Sequence, residues 1–157
     1  MKNFFLLALA AVSLSACKKD SDTTPSRTDL LTTPKWRMTA ETETLTISQP
    51  GGSPGPTVLD RHAGKTACER DNFHKFNVNN SWVIDEGPSK CLPSDPQTGT
   101  STWAFNSDQT KLLIPSPSMP SVLSEVDILE LTPSTLRLRV DLDGTGTDLI
   151  ETTFTAF

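Results

Sequence analysis

Thr135-Leu136-Arg137-Leu138-Arg139-Val140-Asp141-Leu142 decides how this chain is read. Apolar and charged side chains alternate through it, the period of a β-strand with one packed and one wet face. A helix would scatter Arg137, Arg139 and Asp141 around its axis; a strand places all three on one side. Thr132-Pro133-Ser134 before it and Asp143-Gly144-Thr145-Gly146 after it carry turn residues, so the neighbouring apolar-rich runs, 122–131 and 148–156, read as its partner strands. In the last of these Ile150, Thr152, Phe154 and Ala156 share the inner face.

The same punctuation continues toward the N-terminus. Residues 111–114 and 100–106 flank the turn Ser107-Asp108-Gln109, and 81–86 and 72–78 flank Asn79-Asn80, where Asn tolerates positive φ. Trp82 and Ile84 share one face; His74, Phe76 and Val78 share another. The Thr-rich stretch 36–48 favours a strand. Residues 49–56 and 92–99 are Gly/Pro loops, 115–120 is a Pro/Ser loop, and 57–67 is ambiguous, a loop crossing toward Cys68. Arg27 to Thr33 makes one helical turn, stopped by Pro34. About eight strands joined in sequence predict an all-β fold, an antiparallel up-and-down barrel that removes exposed edges by closing. The rival arrangement is an open sandwich.

The N-terminus gives the compartment. Lys2 is the positive start, Phe4 to Val12 an apolar run, and Leu14-Ser15-Ala16-Cys17 a lipobox. From Phe4 to Ala16 the run is 13 residues, against about 20 for a helix that crosses a bilayer. The expected organisation is therefore a signal peptide over 1–16, a lipidated flexible tether over 17–29 starting at Cys17, and one domain over 30–157. Asp22-Thr23-Thr24 in the tether resembles an O-glycosylation site. The protein is expected at the outer membrane, on its periplasmic face or at the cell surface, held by its N-terminal lipid.

Composition narrows the partners. Losing residues 1–16, whose only charged side chain is Lys2, takes the net charge from −5 to −6, which argues against nucleic acid. With Cys17 lipidated, Cys68 and Cys91 remain and are expected to form a disulfide in an oxidising compartment. A metal centre would need more ligands than His62 and His74 provide, and no cofactor is expected.

Three motifs with catalytic or metal flavour read more simply as structure. Gly51-Gly52-Ser53-Pro54-Gly55 fits Gly-x-Ser-x-Gly, but a proline follows the serine and no helix pattern follows Pro56. Asp141-x-Asp143-Gly144-x-Gly146-x-Asp148 has the oxygen ligands of a calcium loop without the closing glutamate, and reads as a hairpin turn. Glu125, Asp127 and Glu130 supply carboxylates for glycoside chemistry but sit on a strand's solvated face. His74 reads as a packing residue. No enzyme is expected.

The order Cys68-x-x-Asp71-x-x-x-x-Phe76, Gly87-x-x-x-Cys91, Gly99-x-x-x-Trp103 and Leu129-x-Leu131-x-x-x-x-Leu136, behind a lipobox, is similar to the lipocalin-like domains of lipoproteins from Bacteroidota-type bacteria. The resemblance implies a small eight-stranded barrel entered through a short turn, and no catalytic residue. It departs from lipocalins proper at Thr33-Pro34-Lys35-Trp36, which keeps the Trp of their Gly-x-Trp signature and lacks its Gly. Trp36, Phe76, Trp82, Trp103 and Phe105 are the candidate ligand-binding residues. They line an apolar pocket if the interior is open, and form a solid core if it is filled; in the second case the protein acts through contacts with an unidentified protein.

Overall fold

A computed structural model describes residues 24–47, 55–116 and 120–157. The expected signal segment, Cys17, most of the tether and the serine of the Gly-x-Ser-x-Gly loop lie outside the described residues. The elements run α1 (Arg27–Thr32), β1 (Trp36–Ile47), β2 (Gly55–Asp60), α2 (Ala67–Arg70), β3 (Phe73–Phe76), β4 (Ser81–Asp85), β5 (Thr98–Thr102), β6 (Ala104–Phe105), β7 (Lys111–Pro115), β8 (Leu123–Leu131), β9 (Thr135–Asp141) and β10 (Asp148–Ala156). The fold is all-β, with two short helices.

All ten strands form one antiparallel sheet in the order β5-β4-β3-β1-β10-β9-β8-β7-β6, with β2 beside the second half of β1. This corrects the expected closed eight-stranded barrel: the hydrogen-bonded ladder is open, ending at β5 and at β6. It also differs from a sandwich, which needs two sheets. Two physical causes raise the strand number. The expected strand over 100–106 breaks at Trp103, whose backbone N–H donates to the Asn80 carbonyl (2.9 Å) and whose indole N–H donates to the Asn77 carbonyl (3.2 Å). The residues before Trp103 pair with β4 and those after it with β7. Second, Gly55–Asp60, of which the sequence reads 55–56 as loop and leaves 57–60 ambiguous, extends along β1 from Thr42 to Ile47. The two ends of the ladder are nevertheless consecutive in the chain, with Trp103 alone between them, so the sheet is rolled.

The inner face holds the core, with Trp36, Leu31, Leu112 and Leu136 fully buried and Phe76 and Trp103 nearly so. Val78 is exposed instead of sharing the face of His74 and Phe76, because the chain already turns at Asn77, whose N–H and the Ser81 carbonyl bond at 2.9 Å with Asn80 at φ 64°. Helix α1 starts three residues ahead of the expected domain boundary. Ser26 and Asp29 form a capping box there, which satisfies orphan N–H groups of the first turn. Its C-terminal carbonyls are met by the Lys75 ammonium, bonded to Thr32 and at 3.0 Å to Thr33, while the Trp36 indole donates to the Leu31 carbonyl at 2.9 Å. So anchored, α1 packs against β3 and β8 and reaches the β8–β9 turn, where Leu30, Pro34 and Pro133 border a small hollow.

The Cys68–Cys91 disulfide ties α2 to the chain beyond β4, with Cα atoms 5.3 Å apart. Gly87 lies within the same bracket at φ 69°, and a Cβ there would stand 2.4 Å from the Asp71 carbonyl oxygen. Only glycine permits both that backbone conformation and that approach.

The outer face is charged. A row of opposite charges crosses four strands, Lys111 to Asp127 (3.6 Å), Asp127 to Arg139 (2.8 Å), with Glu151 opposite Arg139 in register. Glu125 pairs with Lys111 (2.6 Å), and Arg137 bridges Glu130 and Glu151. The carboxylates weighed for glycoside chemistry are thus in ion pairs on the wet side of the sheet.

Candidate functional site

At the end of β8 away from α1, the rolled sheet leaves a cleft of about 630 Å³. Its walls are Trp82 and Ile84 from β4, Ile114 from β7, Val126 from β8 and Val140 from β9. Strand alternation delivers these side chains inward: Leu112 and Ile114 on β7, Ser124 and Val126 on β8, and Leu136, Leu138 and Val140 on β9 share the inner face through their registers. Val126 is 6% exposed and belongs to the core as well as the cleft, so the filled interior forms the floor.

The candidate ligand-binding residues separate. Trp36, Phe76 and Trp103, at 0, 2 and 4% exposure, are core. Phe105 is half-buried and meets the Trp103 ring edge-on at 5.3 Å. Trp82 alone of the five lines the cleft. Its ring stacks on Phe76 at 5.8 Å and on His74 at 5.6 Å, and its indole N–H donates to His74 Nδ1 at 3.2 Å. Trp82 therefore offers the cleft an apolar surface with its one polar atom already engaged. His74, also edge-on to Phe154, is held neutral: burial lowers its pKa from 6.5 to about 4.

The polar residues lining the cleft are hydroxyl-bearing: Thr100 and Ser101 of β5, Ser124 of β8, and Ser116 after β7. Among the described residues no charged side chain lines it. Sequence reasoning missed these residues because the cleft belongs to the roll of the sheet, and no local pattern marks which inward residues will lie at its open end. Inward position was legible for Ile84 and Val140 from alternation; exposure to a cavity was not.

The charges that do turn inward are not among the residues lining the cleft, although Glu43 faces Ile150, the partner of the cleft-wall residue Val140. A bulge at Thr39 shifts the register of β1 against β10, so that Glu41 and Glu43 face the side occupied by Met38 and Trp36. Glu43 is 8% exposed. Arg61, which follows β2, meets Glu43 at 2.5 Å, and Lys65 meets Glu41 at 3.2 Å. Nearby, Asp148 has one buried carboxylate oxygen without a partner, and burial followed by the Glu43 charge raises its pKa. Glu41, Glu43, Arg61 and Lys65 pair among themselves and hold the end of β2 against β1.

The Asp141–Asp148 loop is a hairpin turn. Asp141 accepts the N–H groups of Gly144 (2.9 Å) and Gly146 (3.0 Å), and Asp143 accepts the Thr145 N–H (3.0 Å) and the hydroxyls of Thr145 and Thr147. Those bonds, the Thr147 hydroxyl first, hold the Asp143 carboxyl well below the usual range. Among the described residues no three His, Cys, Asp or Glu side chains group as metal ligands, and no helix is long and apolar enough to cross a membrane.

No protein-family model matches this chain, and no curated protein matches it. The cleft and its chemistry are what a functional reading has to work from.

Proposed function

We propose that this protein is an exported, lipid-anchored, lipocalin-like binder that holds or carries a small apolar molecule at the outer membrane and performs no catalysis. The observation that carries the reading is the apolar cleft of about 630 Å³ walled by Trp82, Ile84, Ile114, Val126 and Val140. That volume lies within the 300–1,000 Å³ typical of small-molecule sites, whose walls are likewise mostly apolar with a few polar groups. The lipobox supports the location. Acyl chains on Cys17 make the membrane the first partner and place the cleft close to a source of apolar molecules.

The test is native mass spectrometry of the soluble, oxidised protein with Cys17 replaced by Ser, purified without detergent. A reproducible added mass, displaced by Nile red, is the expected result. A bare protein that also leaves Nile red unbound would reject the reading.

A second reading has its own support. Trp36, Phe76 and Trp103 fill the interior beneath the cleft, and β2, with Val58 at 62% and Leu59 at 43% exposure, pairs with β1 alone among the described strands. An accessory lipoprotein acting through protein contacts would use such an edge. Bare protein in the mass spectrum directs attention there.

A further inference from the structure

The cleft's mouth has one definite side. Strand β6 pairs with β7 at Ala104 to Leu113 and Phe105 to Leu112. Beyond those pairs β7 continues to Pro115 and β5 lies beside it, with no ladder joining the two. Adjacent residues on a strand point to opposite faces, yet Thr100 and Ser101 both line the cleft, as do Ile114 and Pro115. Residues of both strands thus border the cleft along edges that no ladder joins, and the gap between β5 and β7, a seam in the sheet, is one side of its opening.

Beside that gap the cleft's side chains are polar and uncharged, with Ser101 on β5 and Ser124 on β8 opposite Ile114. Ser101 and Ser124 are half-buried, and their hydroxyls have no protein partner among the described residues. The backbone edges of β5 and β7 that face the seam have no ladder between them. None of the described cations lines the cleft; Lys111, Arg137 and Arg139, for example, lie in outer-face ion pairs, and Arg61 and Lys65 pair with Glu43 and Glu41. His74, behind Trp82, is neutral with Nδ1 engaged.

We infer that the cleft takes an uncharged amphiphile, an apolar body with a hydroxyl, amide or carbonyl group, which enters through the β5–β7 seam and places its polar group against the seam hydroxyls. The inference rests on the binding reading above and narrows it. A carboxylate or ammonium in the cleft would lose water without gaining a counter-charge, an uncompensated burial that proteins avoid. A neutral hydrogen-bonding group exchanges water for Ser101, Ser124 or a strand edge at little cost. A wholly apolar molecule would leave those groups unpaired.

The test is displacement of Nile red from the soluble protein by decyl compounds of equal length at pH 7.5. Decanol and decanamide are expected to bind at least about tenfold more tightly than decanoate or decyltrimethylammonium. Replacing Ser124 by Lys should reverse the order, drawing decanoate in. Should that variant fail to fold, the double change Ser101→Ala with Ser124→Ala carries the same question: it should weaken decanol several-fold while leaving 1-chlorodecane unchanged. Nile red binding with decanoate as effective as decanol would overturn this inference and leave the binding reading standing. No Nile red binding at all would overturn both.

Discussion

His74 shows how one residue serves the interior and the cleft together. Its ring lies between Trp82 and Phe154, and accepting the Trp82 indole N–H at Nδ1 requires the neutral form. Burial sets its pKa near 4, so between about pH 6.5 and 4 the unfolded chain takes up a proton that the folded chain refuses. Stability must fall as pH falls through that window, by up to about 3 kcal/mol. Urea denaturation at pH 7 and pH 4.5 measures this. Replacing His74 with Asn, which retains an acceptor and does not titrate, should remove that part of the slope; an unchanged slope would place the acid sensitivity elsewhere. The residue's inward position was legible from alternation with Phe76. Its pairing with Trp82 was not, because the register Phe76 to Trp82 and His74 to Ile84 depends on where the Asn77–Ser81 turn closes.

At the level of elements, local rules located most strands. The strand over 148–156 and its neighbour after the Thr132-Pro133-Ser134 turn form where alternation and turn chemistry placed them. Local rules failed at three points, each governed by a contact distant in sequence. Trp103 divides a strand by reaching back to Asn77 and Asn80. Gly55–Asp60 becomes a strand despite Pro56 and exposed residues along its whole length because β1 is long enough to give it an edge. The bulge at Thr39 turns Glu41 and Glu43 inward, which partial alternation could not reveal, and Arg61 and Lys65 arrive to compensate them. The disulfide was legible from cysteine number and compartment; what it fixes was not. It brackets α2, β3, β4 and the Gly87 turn against Asp71, the unit that carries Trp82 and Ile84. Replacing Cys68 and Cys91 by Ser should lower unfolding stability by about 2–4 kcal/mol, read by thermal and urea melts. Nile red affinity should fall with it, since one wall of the cleft loses its support. A loss of stability with unaltered affinity would show that β4 is positioned by the sheet alone.

Across the whole molecule, the rolled sheet divides its chemistry by face. The outside carries the Lys111–Asp127–Arg139–Glu151 row and the ion pairs beside it, which suits the proposed setting in water beside a membrane. The inside is filled from the α1 end by Trp36, Leu136 and Phe154 and left hollow at the far end, where β5 and β7 separate. A sheet whose ladder closed fully would bring those strands together and remove the seam. The broken strand at Trp103 is therefore what gives the cleft this side of its opening, and the departure from a closed barrel is the feature on which the proposed function depends.

The most direct measurement is a Nile red titration of the soluble protein beside a variant in which Val140, on the cleft wall, is replaced by Trp. The account predicts saturable one-to-one binding by the native chain and loss of at least about tenfold in affinity when the indole fills the cleft, with the thermal melt showing that the variant is folded. Equal binding by both proteins would place any apolar site elsewhere on the molecule, and contradict the account.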